Sequence, residues 1–112
     1  MKVTVYHKAV ERNDDGYYRV AVVNAPEGLN EKEACEYAYR WTQNIADSWS
    51  HPAGVIDKNE NVEIVGELPV VGGKTYGLRS SMMGDRFYIN SGSVYDCAML
   101  GFEEVPTVEE AA

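Results

Sequence analysis

Several features that define whole classes of protein are scarce in this sequence of 112 residues. It has only 2 cysteines, fewer than a small secreted domain built on disulfides usually carries. No apolar run approaches the roughly 18 residues that cross a membrane, and the segment after Met1 does not resemble a signal peptide. We therefore expect a cytoplasmic protein with both thiols reduced.

Basic residues are scarce as well. The chain has 10 lysines and arginines against 18 acidic residues, a net charge of -8. A broadly basic nucleic-acid interface is disfavoured, because such binding depends on neutralising phosphates. The acidity is uneven: residues 25–71 carry a net -6 and residues 101–112 carry -4, whereas the two remaining segments carry +1 each.

What is present suffices for one folded domain, since 45% of the residues are hydrophobic. Alternating patterns predict a hairpin at the N-terminus and about five further strands after residue 61. Because strands and helices do not alternate, we predict an α+β fold, with one principal helix on a mostly antiparallel sheet. The domain should cover residues 1–105, followed by a short acidic, flexible tail over 106–112.

The principal helix is predicted from about Glu31 to Asp47. Asn30 suits the N-cap, and Glu33 three residues later can complete a capping box. Apolar residues then recur at steps of three and four up to Ile45, which predicts one buried stripe. Trp41 is expected in the core, whereas Trp49 fits either the core or an exposed contact site.

The sequence shows no arrangement typical of catalysis. His7 and His51 lack the close spacing to Cys35 or Cys97 that metal sites show, so no metal ligand is predicted. Gly73-Lys74-Thr75 is not a phosphate-binding loop, because the pattern around it is missing. We predict no catalytic residue and no cofactor. A small enzyme built around Cys97 or His51 is kept as a remote alternative.

The acidic residues have two interpretations. They form a solvated surface that keeps a small protein soluble, or a negative surface that occupies a basic site on another protein. For the second interpretation the partner-binding candidates are Glu33, Glu36, Trp49, Asp57, Glu60 and Glu63.

A nucleic-acid-binding module is the main alternative, because residues 72–100 are mildly basic and aromatic. The residues that would carry it are Lys74, Arg79 and Arg86, with Tyr76 or Tyr88.

Two stretches resemble small uncharacterised proteins of bacteriophages and mobile elements. The first is Ala38–Ile45 followed by Ser48-Trp49-Ser50. The second is Lys74–Phe87 with Gly92, Tyr95 and Gly101–Val105, similar to a pattern R-S-x-S-V-G-D…G…Y…G-F. Met82-Met83 stand where that pattern has Ser-Val. A similar loop–Gly–Asp–strand layout occurs in small RNA-binding barrels of the PUA and ASCH kind.

The resemblance implies a non-catalytic accessory protein, made in the infected cell, that binds and modulates a host protein. Acidic phage proteins of this size resemble anti-defence inhibitors, some of which mimic DNA. The expected partner is then a defence enzyme that acts on nucleic acid. A homodimer is a further expectation, since edge strands of a small sheet can pair with a second copy.

Overall fold

The computed structural model describes residues 1–9, 16–45, 48–51, 59–99 and 101–105. It contains one helix and eight strands within these residues. In chain order they are β1 (Lys2–Lys8), β2 (Tyr17–Asn24), α1 (Glu31–Trp41), β3 (Val62–Ile64), β4 (Val70–Val71), β5 (Lys74–Thr75), β6 (Arg86–Ile89), β7 (Val94–Ala98) and β8 (Gly101–Glu104). The predicted α+β class is confirmed. The predicted tail, residues 106–112, lies outside the described residues.

Six strands form one antiparallel sheet in the order β3-β2-β1-β6-β7-β8. The four central strands come from the two segments of net charge +1, with β1 and β2 in residues 1–24 and β6 and β7 in residues 72–100. The two segments meet where β1 pairs with β6. β4 and β5 form a separate small hairpin. The described part of the sheet is open, with β3 and β8 at its edges, and so differs from a closed barrel.

Helix α1 packs on one face of this sheet. Alternate residues of the central strands point toward it and are buried, including Val3, Val5, Val23 and Phe87. The helix contributes Ala34, Cys35 and Ala38 from its inner side. Because small helical side chains meet large strand side chains, the helix lies close to the sheet. The opposite face of the sheet carries the other alternate residues and has no helix of the described chain upon it.

Helix α1 begins as predicted and ends earlier than predicted. The Asn30 side chain accepts from the Glu33 amide, and the Glu33 carboxylate accepts from the Asn30 amide, which completes the capping box. The helix ends at Trp41 because the Thr42 amide bonds to the Tyr39 carbonyl. The following residues turn toward residues 78–81 instead of continuing the helix. Ile45, predicted in the buried stripe, is 63% exposed.

Sequence periodicity predicts Trp41 in the core, whereas for Trp49 both the core and an exposed site fit the sequence. Trp41 is only half-buried, and the Arg40 guanidinium lies 4.2 Å from the centre of its ring. Trp49 is 3% exposed and belongs to the core. The prediction for Trp41 was therefore wrong. The helix ends at this residue, so Trp41 lies at its end and is not covered by a further turn.

Strand β3 covers only Val62–Ile64, although the alternating pattern from Val62 to Leu68 predicts a longer strand. The amides of Val65 and Gly66 both donate to the Val20 carbonyl, which bends the chain against β2. A Cβ at Gly66 would lie 3.0 Å from the Val20 Cα, so this close approach favours glycine. No helix of the described chain is long and apolar enough to cross a membrane.

The N-cap gives a direct test of the helix start. Replacing Asn30 with alanine should lower the free energy of unfolding by about 1 kcal/mol, because the Glu33 amide loses its acceptor. Glu33→Gln should cost clearly less, since glutamine can still accept from the Asn30 amide. Urea denaturation followed by circular dichroism measures both values. Equal stability of Asn30→Ala and the wild type would contradict the role of the cap.

Candidate functional site

Three of the predicted partner-binding residues lie on the helix side of the molecule. Glu33 and Glu36 are exposed on successive turns of α1, and Glu60 is exposed just before β3. Both neighbours of Glu60 contact the helix, since the side-chain amides of Asn59 and Asn61 donate to the Tyr37 hydroxyl at 2.6 and 3.1 Å. Glu60 thus lies beside the flank of α1 that carries Tyr37. Glu33 lies on the same flank, because it precedes Tyr37 by one helical turn.

Glu36 lies on the other flank of the helix. It lines a depression of about 280 Å³ with Tyr39 and Phe102. Glu104 is exposed two residues after Phe102 on edge strand β8, so its side chain points to the same side of the sheet. The helix is therefore flanked by carboxylates on both sides. We call Glu33, Glu36, Glu60 and Glu104 the acidic helix side.

The remaining three candidates do not join this surface. Glu63 pairs with Val22 in the sheet and shares the face that points away from the helix. Trp49 is buried, with its indole N–H donating to the Arg79 carbonyl at 2.9 Å, so it presents no contact surface. Asp57 lies outside the described residues.

The sheet face away from the helix is different in character. Its centre carries Tyr6 and Tyr88, whose ring centres are 4.7 Å apart. Beside them, the Arg86 guanidinium lies 4.9 Å from the Tyr17 ring centre and bonds to Asp96 at 2.7 Å. Folding therefore places acidic groups around the helix and a mixture of tyrosines and paired charges on the other face.

The two stretches that carry the sequence resemblance contact each other. The Ser50 hydroxyl accepts from the Leu78 amide at 2.6 Å, and the Asn44 amide donates to the Ser80 hydroxyl at 2.8 Å. A Cβ at Gly77 would fall on the Ser48 hydroxyl oxygen, so this approach requires glycine. The two segments thus form one packed unit.

An ion pair closes the loop from Arg79 to Asp85. The guanidinium donates to both carboxylate oxygens, at 2.8 and 2.7 Å. The same carboxylate accepts from the amides of Lys8 and Met82, at 2.7 and 2.8 Å. Asp85 is 0% exposed, so its charge is compensated by four donors inside the protein. Gly84, at φ 98°, allows the turn before it.

Beside this pair lies a serine–histidine contact that sequence reasoning missed. The Ser81 hydroxyl is 3.0 Å from His7 Nε2 and 2.6 Å from the Thr42 hydroxyl, which donates to the Ala38 carbonyl. A carbonyl oxygen only accepts, so the Thr42 hydroxyl uses its hydrogen in the bond to Ala38. In the contact between the two hydroxyls, Ser81 is then the donor and Thr42 the acceptor. His7 Nε2 therefore carries a proton and donates to Ser81.

The arrangement differs from that of an activated serine. A catalytic histidine must accept the serine proton, and the carboxylate must hold its other ring nitrogen. Here Asp85 Oδ2 lies 3.8 Å from the same Nε2 atom, and Ser81 is only 2% exposed. The cluster is a buried network that joins β1, the helix end and the loop. Its sequence signal is the Arg79–Asp85 pair within the quoted pattern.

The residues kept for an enzyme are poorly suited to nucleophilic chemistry. Burial raises the pKa of Cys35 to about 12 and raises the pKa of Cys97, which disfavours the reactive thiolates. His51 Nε2 lies 3.1 Å from the Thr75 carbonyl. Among the described residues, no group of three or more histidine, cysteine or acidic side chains is arranged to hold a metal ion.

The residues kept for nucleic-acid binding do not form one surface. Arg79 is engaged by Asp85, whereas Arg86 and Tyr88 lie on the sheet face away from the helix. Lys74 and Tyr76 belong to the β4–β5 hairpin region, where the ammonium lies 5.3 Å from the ring centre.

A second concavity among the described residues is a groove at the end of β1 and β2. It has a volume of about 650 Å³ and runs between these strands, the bend after β3 and the start of the Arg79 loop. Its lining combines cationic, aromatic and apolar side chains. They include Lys8, Arg19, Tyr17, Tyr18, Val65 and Leu78.

The buried ion pair predicts a large effect of a small change. Asp85→Asn should lower the free energy of unfolding by about 3 to 5 kcal/mol, because the amide group of the substituted side chain presents N–H groups to buried donors that the carboxylate accepts from. Arg86→Lys, at the more exposed pair with Asp96, should cost below about 1 kcal/mol. Urea denaturation compares the two variants. A cost for Asp85→Asn no larger than for Arg86→Lys would contradict the role assigned to Asp85.

The buried histidine predicts a pH dependence. Desolvation lowers the pKa of His7 to about 4, so the unfolded chain binds more protons than the folded one between pH 6.5 and that value. Stability is therefore lost as the pH falls through this window. From pH 7.5 to 5.5 this group should remove about 1 kcal/mol. The variant His7→Gln can still donate to Ser81. Between pH 7.5 and 5.5 its free energy of unfolding, measured by urea denaturation, should fall by about 1 kcal/mol less than that of the wild type. Equal losses in both proteins would refute this assignment.

No protein-family profile, no curated protein and no solved structure matches this chain significantly. Functional inference therefore depends on the surfaces and clusters described above. These are the acidic helix side, the buried network around Asp85 and the groove at the end of β1 and β2.

Proposed function

We propose that the protein is a non-catalytic binding protein that attaches to a basic surface of another protein through its acidic helix side. The observation that carries this proposal is the arrangement of exposed carboxylates on both flanks of α1. Two bases, Lys32 and Arg40, share the helix, and Arg40 is stacked on Trp41. The surface is therefore negative as a whole.

The partner that fits this surface is a nucleic-acid-binding protein of the host. Such proteins present basic patches that neutralise phosphates, and a rigid set of carboxylates can occupy the same patch. The setting in a bacteriophage or mobile element is supported by the sequence resemblance of the Arg79–Asp85 loop. In this proposal the protein competes with nucleic acid for its partner and so inhibits it.

Two observations support binding over catalysis. Ser81 and Asp85 both lie near the same ring nitrogen of His7, unlike the serine and carboxylate of a catalytic triad, and all three side chains are buried. Both cysteines are buried, with raised pKa values. Direct nucleic-acid binding is less favoured, because the net charge is -8 and Arg79 and Arg86 are each paired with a carboxylate.

A charge-reversal pair tests the proposal. Glu36→Lys with Glu60→Lys changes the acidic helix side, whereas Glu63→Lys with Glu103→Lys makes the same change of charge on the opposite sheet face. Neither pair includes the capping residue Glu33. Both variants and the wild type are used as bait in lysates of a bacterial host, and bound proteins are identified by mass spectrometry at low and moderate salt.

The wild type and the Glu63/Glu103 variant should retain the same nucleic-acid-binding protein, and the Glu36/Glu60 variant should lose it. Added double-stranded DNA should release the partner, and higher salt should weaken the complex. Loss of the partner from both variants alike would show that net charge, not this surface, governs binding. Retention by the Glu36/Glu60 variant would contradict the proposal.

A further inference from the structure

The groove at the end of β1 and β2 has the composition of a small-molecule site. Its volume of about 650 Å³ falls within the range of ligand pockets. Its chemistry is opposite to that of the acidic helix side. Among the described residues, its lining includes three cationic side chains, Lys8, Arg19 and Arg79, and one carboxylate, Glu67.

The cationic wall is partly fixed in position. Arg79 is held by Asp85, by its own loop at the Ser80 carbonyl and by the Lys8 carbonyl, and 30% of its side chain stays exposed. These bonds prevent the guanidinium from moving away when a ligand binds. Lys8 and Arg19 are exposed on paired strands beside it. Asp85 balances the charge of Arg79, so Lys8 and Arg19 are the charges that favour an anionic ligand at the described part of the groove.

The rest of the lining favours a flat, apolar body. Tyr17 lies at the start of β2 directly opposite Lys8, so these two side chains share one face of the sheet, and the Arg86 guanidinium lies 4.9 Å from the Tyr17 ring centre. Tyr18, the next residue, points to the other face. The apolar residues of the groove supply further contact area. They are Val20, Val65, Pro69 and Leu78. Aromatic and aliphatic walls with a few fixed charges are typical of sites for planar ligands.

We propose that this groove binds a small ligand that has a planar ring and an anionic group, with the anion at Lys8 and Arg19 and the ring against Tyr17. A nucleoside monophosphate and an aromatic carboxylate both have this chemistry. The site is separate from the acidic helix side, and it does not depend on the partner proposed above.

Two ligand pairs test the chemistry and distinguish its sources. Adenosine monophosphate is compared with adenosine, and indole-3-acetate with indole, by isothermal titration calorimetry at low salt. At least one of the two anions should bind, and the affinity of its neutral counterpart should be lower by about tenfold or more. In ¹⁵N-resolved NMR spectra the Trp49 indole signal should shift, because its N–H bonds to the Arg79 carbonyl in the groove wall.

Variants locate the binding. Lys8→Gln with Arg19→Gln should weaken the anion about tenfold, whereas Lys2→Gln with Lys32→Gln, an equal change of charge elsewhere, should change it less than about twofold. Glu67→Gln should strengthen binding, a direction that misfolding does not produce. The proposal is overturned if neither anion binds at millimolar concentration, if the neutral compounds bind equally well, or if both double variants lose binding alike.

Discussion

The carboxylate of Asp85 is the group on which the arrangement of the loops depends. It lies at 0% exposure and accepts from the Arg79 guanidinium and from the amides of Lys8 and Met82. A charge in that position is tolerated only while all these donors are present. The pair therefore fixes the end of β1 against the loop before β6. Through Arg79 it also fixes Trp49, whose indole bonds to the Arg79 carbonyl.

The sequence predicted those parts of the fold that local chemistry determines. The α+β class, the N-terminal hairpin and the capping box at Asn30 follow from alternation and cap residues, and the structure confirms them. The helix end could not be predicted in this way. It is set by Thr42 and by the loop around Ser81, whose amide bonds to the Thr42 carbonyl across 39 positions of sequence. The burial of Trp49 depends on the same distant loop.

The candidate surfaces were only partly accessible to sequence reasoning. The charge map identified the acidic segments, but strand register decides which carboxylates share a face. Register places Glu63 opposite Val22, away from the helix, whereas Tyr37 draws the neighbours of Glu60 toward it. The network of His7, Thr42 and Ser81 joins three separate segments, and no spacing rule in one sequence would bring them together. The only local sequence feature that pointed to this network was the pattern from Arg79 to Asp85.

The position of Asp85 lets Arg79 form a buried ion pair while part of its side chain stays at the surface. Asp85 is behind the guanidinium, in the core, so the ion pair stabilises the loop while part of the Arg79 side chain still faces the groove. The rigid network then serves as a support for that groove wall, and the exposed side chains Lys8 and Arg19 can vary without loss of the fold. On the other side of the molecule, the acidic helix side rests on Tyr37 and on the capped helix. The two surfaces thus have separate supports, and a change in one need not disturb the other.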